Sequence, residues 1–104
     1  MARGILYVES QPASPEEADA FDTWYEHTHM KEMLGIEGVG SARRLSPLAG
    51  GGGVVAIYEL DGDLDAVRAR VSEAHRTGRL SPQVGMQLDP PPVVRYLGEI
   101  ARLP

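Results

Sequence analysis

Residues 21–45, FDTWYEHTHMKEMLGIEGVGSARRL, decide the fold and contain the histidine on which the functional interpretation depends. The first part has the apolar spacing of an amphipathic helix, and Gly35 supplies a stop after Leu34. Residues 39–45 are typical of a strand, with small side chains in its middle. The stretch therefore predicts a helix and a strand joined by a tight turn.

An aromatic face runs along this predicted helix. At about 100° per residue, five side chains fall within one sector of roughly 140°. They are Phe21, Trp24, Tyr25, Thr28 and His29. His27 falls about 200° away from His29, so these two histidines cannot bind one metal ion as a pair four residues apart would. The sequence predicts no metal site here.

His29 lies at the polar edge of the aromatic face, with Tyr25 and Met33 one turn away on either side and Asp22 near the same edge. Two interpretations of this histidine remain open. An imidazole that faces a cleft has an unperturbed pKa near 6.5 and acts as acid or base at neutral pH. A boundary histidine with no chemical role bonds a carboxylate or a backbone carbonyl and does nothing more.

Composition argues against several classes of function. The 104 residues are enough for one domain, 1–104. A formal net charge of −5 and a single lysine argue against nucleic acid or an anionic membrane surface as a partner. The absence of cysteine removes disulfides, thiolate catalysis and cysteine-ligated metals. Since no apolar run approaches the ~18 residues of a membrane span, we expect a soluble, cytoplasmic protein.

The rest of the chain supplies the other elements of one sheet. Strands are predicted over residues 4–9, 54–60 and 93–103. The first helix is predicted to begin near Pro15, after Ser14 as N-cap, and a second helix to begin after Asp63 and end before Gly78. The order strand, helix, strand, strand, helix, strand is the ferredoxin-like α+β plan, a four-stranded antiparallel sheet with two helices on one face.

Apolar side chains occupy both faces of these strands. Two helices, however, can cover only one face of the sheet. The uncovered face would expose more apolar surface than a typical soluble monomer shows. We therefore expect a homodimer in which two sheets close on each other.

Two long loops carry weaker signals. The glycine-rich loop at residues 46–53 lacks the Lys-Ser/Thr pair and the helix of a phosphate-binding loop, so it is predicted to connect two hairpin strands. The loop at residues 79–92 is either a lid, a partner arm or a surface excursion.

The same stretch resembles the EthD-like family of the dimeric α/β-barrel superfamily. The resemblance consists of Trp24-Tyr25, His29, the Leu34-Gly35 helix end, Gly38 and the strand Ser41-Ala42-Arg43-Arg44. It implies a ferredoxin-like protomer that dimerises into an α/β barrel. Relatives include cofactor-independent monooxygenases, polyketide cyclases, muconolactone isomerases and haem-degrading enzymes, so the resemblance does not select one reaction. It does imply that His29 faces a cleft between helices and sheet.

Three hypotheses of function follow. The first is a cofactor-independent cyclase, dehydratase, decarboxylase or monooxygenase acting on a hydrophobic, aromatic or polyketide-like carbonyl compound. His29 would be its acid or base, Tyr25 or Asp22 would orient the imidazole, and Phe21, Trp24 and Met33 would contact the substrate. The second is a non-catalytic protein that binds the same kind of molecule. The third is haem binding or breakdown with His29 as axial ligand.

Overall fold

A four-stranded antiparallel sheet forms the frame of the protein. The computed structural model describes residues 2–104, so Met1 of the predicted domain lies outside it. The strands are β1 (Ala2–Ser10), β2 (Val39–Leu45), β3 (Val54–Gly62) and β4 (Val93–Gly98). They are arranged in the order β2-β3-β1-β4, which agrees with the predicted ferredoxin-like plan.

The first helix is continuous but changes its winding three times. It consists of a 3-10 segment at Pro15–Glu17, an α-helix at Ala18–Trp24, a π-helical turn at Tyr25–His29 and an α-helix at Met30–Leu34. Both predicted ends are confirmed. The Ser14 backbone carbonyl, rather than its side chain, caps the start by accepting from the Glu17 N–H at 3.1 Å.

The second helix spans Leu64–Arg76. The helix begins after Asp63, as predicted, and the Asp63 carboxylate caps it by accepting a hydrogen bond from the Ala66 N–H at 3.1 Å. Val67 and Ala74 bury one stripe of this helix against the sheet. Among residues 2–104, no helix has both the length and the apolar character that crossing a membrane requires.

The last strand is shorter than predicted. Its regular part ends at Gly98 and not at residue 103, and the Ile100 and Leu103 side chains are exposed. The reason is the register of β4 with β1: Gly98 pairs with Gly4, so β1 offers almost no further length beyond that point. Strand β4 therefore stops where its neighbour runs out, although its sequence remains apolar.

The loop at residues 79–92 packs back onto the first helix. The Ala13 N–H donates to the Gly85 carbonyl at 2.7 Å, and Ser81 donates to the Glu32 carboxylate through its N–H at 2.8 Å and its hydroxyl at 2.6 Å. Leu80 is buried in the core. These contacts fix the loop over the helix that contains His29. The glycine-rich loop joins the antiparallel strands β2 and β3, as predicted.

Alternate residues of the central strands divide between a covered and an uncovered face. Leu6, Tyr58 and Leu60 are buried beneath the helices with Phe21 and Tyr25. On the opposite face Tyr7 lies beside Ile57, and Ile5 lies beside Leu97. Within residues 2–104 no helix covers this second face, so an apolar surface is open to solvent in the single chain.

The link between the first helix and β2 depends on Gly38. Its φ is +98°, and a Cβ at this position would overlap the Val67 side chain of the second helix and lie 3.2 Å from the Asp61 carbonyl oxygen. Gly38→Ala should therefore lower the free energy of unfolding by about 2 to 4 kcal/mol, measured by urea denaturation. Gly51→Ala is the matched control, because nothing lies within 4 Å of its Cβ position. Equal stability of the two variants would contradict this packing.

Candidate functional site

Four rings meet between the first helix and β3. The His29 imidazole stacks on Trp24, with ring centroids 4.7 Å apart and planes 22° apart. Tyr25 and Tyr58 present their rings at steep angles to the imidazole, at centroid distances of 5.1 and 6.4 Å. In a π-helical turn the residue five positions on comes to the same side. The winding at Tyr25–His29 therefore brings His29 back over Trp24.

The other sequence-predicted residues surround this cluster. Phe21 and Met33 are completely packed in the core, and Trp24 is 8% exposed. The rings of Phe21 and Tyr25 are in edge-to-face contact, with centroids 5.6 Å apart, so Phe21 packs against the cluster through Tyr25. His27 is exposed on the far side of the helix, where the wheel predicted it.

His29 is partly buried and electrically neutral at physiological pH. Burial lowers the pKa of His29 to about 4; Glu32 opposes this shift and His75 of the second helix adds to it. The Nδ1 atom is buried with no hydrogen-bond partner among residues 2–104. The imidazole therefore offers an unprotonated ring at neutral pH, rather than a charged one.

Arg44 lies inside the protein, under the first helix. Its side chain is 9% exposed, and it donates to Glu26 at 2.7 Å and to Asp22 at 3.1 Å. The guanidinium carbon is 4.6 Å from the centroid of the Tyr25 ring, a cation–π contact. Asp22, which was predicted as a possible partner of the imidazole, thus has a different partner in the structure. Tyr25 remains in contact with both His29 and Arg44.

Sequence reasoning missed Arg44 and Tyr58 as members of this cluster. The alternation of side chains between the two faces of a strand could have indicated both residues. Arg44 pairs with Ala56 of β3, and Ala42 pairs with Tyr58, so all four side chains lie on the covered face of the sheet. The parity of β2 alone could have indicated that the second arginine of the Arg43-Arg44 pair points inward.

Buried polar atoms without partners are concentrated in this layer. Within residues 2–104, five side-chain atoms are buried without a hydrogen bond. They are Trp24 Nε1, Tyr25 OH, His29 Nδ1, Arg44 Nε and Tyr58 OH. Buried polar groups are normally bonded, so unbonded ones call for a specific explanation. Their concentration around His29 marks the layer between the first helix and the sheet as the candidate site.

The unpaired polar atoms of the site are themselves buried, although the His29 side chain as a whole is partly exposed. Five surface hollows, with volumes of about 190 to 390 Å³, border other parts of the chain, and His29 lines none of them. The 390 Å³ hollow lies between the open sheet face and the glycine-rich loop, where Tyr7, Leu45 and Ile57 line it. The chemically distinctive atoms therefore lie in a shielded layer on the other side of the sheet.

Comparison with known protein families, with curated proteins and with solved structures finds no match for the chain. Among residues 2–104, no three His, Asp or Glu side chains gather as metal ligands. The chemistry of the site must therefore be inferred from its own side chains.

His29 should make the stability of the fold depend on pH. The pKa of a histidine in an unfolded chain is about 6.5, and in the fold it is about 4. Between these values the unfolded chain binds a proton that the folded chain does not, so acid favours unfolding. The stability associated with neutral His29 is fully present above pH 6.5 and is lost as the pH falls to 4. His29→Gln should flatten this part of the curve of unfolding free energy against pH.

The measurement is urea denaturation at a series of pH values. His27→Gln is the control, because His27 is on the same helix but exposed, and it should leave the slope between pH 6.5 and 4 unchanged. Glu32 and Glu99, whose pKa values are lowered in the fold, contribute to the same slope. A slope as steep in His29→Gln as in the wild type would show that burial of this imidazole does not shift its pKa.

Proposed function

We propose that this chain is a cofactor-independent enzyme that acts on a hydrophobic, aromatic or polyketide-like carbonyl compound, with His29 as its acid and base. One observation supports this most directly: a neutral imidazole, stacked on Trp24, lies among buried polar atoms that have no protein partner. Aromatic surface beside a few unpaired polar groups is the usual composition of a small-molecule site.

The proposed chemistry begins with removal of a proton. The neutral imidazole takes a proton from the carbon next to the carbonyl group, and the electron pair of that C–H bond moves to give an enolate. Cyclisation, loss of water and reaction with oxygen can proceed through such an anion, whereas loss of carbon dioxide breaks a C–C bond to give the enolate directly, and that enolate then takes up a proton. The imidazolium then returns the proton to the product. Trp24 would pack against the apolar part of the substrate, and Tyr25 would donate its hydroxyl proton in a hydrogen bond.

The lowered pKa of His29 also favours a second candidate. An imidazole with a pKa of about 4 is a weak base, although the negative charge of an enolate beside it would raise that pKa. In a non-catalytic protein, the same neutral ring would accept a hydrogen bond from a bound phenol or enol. The two candidates share a ligand class and differ in whether a proton is transferred.

We further propose a homodimer through the open sheet face, as in an EthD-like α/β barrel. That face combines apolar side chains with charges of both signs: Arg95 lies beside Tyr7, Arg43 beside Ile57 and Glu59 beside Ile5. A twofold axis through such a face can bury the apolar side chains while opposite charges pair between the copies.

Proton exchange at carbon tests the enzymatic proposal without knowledge of the final product. The protein is incubated in deuterated water with a panel of aryl ketones and β-diketones, and proton NMR follows exchange at the carbon next to the carbonyl. We expect catalysed exchange, and we expect His29→Gln to reduce it by about 100-fold or more. His27→Gln should retain wild-type exchange. Equal exchange in the wild type and His29→Gln would contradict the role of His29.

The same samples distinguish the second candidate. Calorimetry measures binding of each panel member to the wild type and to His29→Gln. Binding that depends on His29, without any exchange at carbon, would support the non-catalytic protein and reject the enzyme.

Light scattering tests the dimer. We expect twice the 11.3 kDa mass of one chain at micromolar concentration. Ile57→Glu places a charge in the middle of the open face and should give one chain mass, because an unpaired charge is costly to bury. Ala69→Glu, at an exposed position of the second helix, is the control and should remain a dimer. A wild-type protein with the mass of one chain would contradict the proposal.

A further inference from the structure

Two phenol hydroxyls, those of Tyr25 and Tyr58, are buried close to each other in the layer between the first helix and the sheet. Tyr25 is 1% exposed and Tyr58 is 0% exposed. Neither hydroxyl makes a hydrogen bond of normal geometry within residues 2–104. A buried hydroxyl without a partner costs stability, and phenylalanine would fill nearly the same space without that cost. Apart from the weak interactions of the Tyr25 hydroxyl with Tyr58 and Ser10, folding gives no reason for either oxygen atom.

Both hydroxyls keep their protons and can donate them. Burial is the main cause that raises the pKa of Tyr25, while weak hydrogen bonding with the Tyr58 and Ser10 hydroxyls and the charge of Arg44 lower it in part. Burial, followed by the proximity of Tyr25, raises the pKa of Tyr58 well above its usual value. The Arg44 guanidinium over the Tyr25 ring adds positive potential. Burial by itself therefore disfavours a charged oxygen here, and negative charge on a bound oxygen would have to be stabilised by the two protonated hydroxyls.

We propose that the Tyr25 and Tyr58 hydroxyls together bind one electron-rich ligand oxygen, that of a carbonyl, an enolate or a phenolate. This inference rests on the proposed function and names the group recognised at the same site. His29 contacts both tyrosine rings, so the proton acceptor and the two donors belong to one cluster. Donors placed where negative charge develops stabilise an enolate more than the ketone that precedes it.

Entry of a ligand requires movement of the first helix relative to the sheet. Both tyrosine oxygens are shielded from solvent, and Tyr25 belongs to the π-helical turn Tyr25–His29 while Tyr58 belongs to β3. Short π-helical turns are frequent at functional sites. Separation of this turn from β3 would uncover the donors and the imidazole together.

Binding of 4-nitrophenol tests the oxygen site, because its phenolate absorbs visible light and its phenol does not. We expect the wild type to bind the phenolate preferentially, which lowers the apparent pKa of the bound probe. Tyr58→Phe and Tyr25→Phe should each weaken phenolate binding by about 10-fold to 100-fold, since each removes one donor to a charged oxygen. Thermal unfolding of Tyr58→Phe should occur at the wild-type temperature or above it.

Tyr96→Phe is the matched control. Tyr96 is a partly buried tyrosine on β4 whose ring lies under Arg68, and it belongs to no part of the site layer. It should bind the probe as the wild type does. The oxygen site is overturned if the wild type does not bind the phenolate, if Tyr58→Phe binds it equally well, or if Tyr58→Phe unfolds at a lower temperature than the wild type.

The two proposals fail in different ways. A protein that binds the phenolate through Tyr58 but exchanges no proton next to a carbonyl supports the oxygen site and rejects the enzyme. Proton exchange that depends on His29, together with a phenolate affinity that Tyr58→Phe leaves unchanged, would support the enzyme and reject the oxygen site.

Discussion

A positive charge held under the first helix determines how that helix is placed. The Arg44 guanidinium is almost removed from water, and a buried charge is tolerated only with partners. Asp22 and Glu26, which are one helical turn apart, each form an ion pair with Arg44. The ring of Tyr25 packs over the same guanidinium. These contacts fix the rotation of the helix about its axis. Trp24 and Tyr25 are thereby directed toward the sheet.

The site layer combines good packing with poor hydrogen bonding. Phe21, Tyr25 and Tyr58 are almost completely buried, yet both tyrosine hydroxyls, the indole N–H and one imidazole nitrogen have no partner within residues 2–104. Selection for stability alone would favour apolar replacements at such positions. These positions depart from the rules that govern a core, and such departures are usual at functional sites.

The fold could be predicted from sequence because its signals are local. Pro15 and Asp63 begin the helices, and the apolar run of β3 identifies a central strand. The end of β4 depends instead on where β1 stops, which only the register reveals. The partner of Asp22 was not predictable from the helix alone, because Arg44 comes from β2. The helical wheel placed His29 near Tyr25 correctly, but a constant 100° per residue cannot describe the stacking on Trp24.

The π-helical turn has a consequence for the comparison of sequences. A π-helical turn contains one residue more than the α-helical turn it replaces, and it lengthens the helix by less than the rise of one α-helical residue. A chain with the same fold but an uninterrupted first helix would have one residue fewer between the counterparts of Trp24 and Met30. Alignments of such chains should place a single-residue gap inside this helix, where gaps are usually forbidden. Without that gap, the histidine would be matched to a residue on another side of the helix.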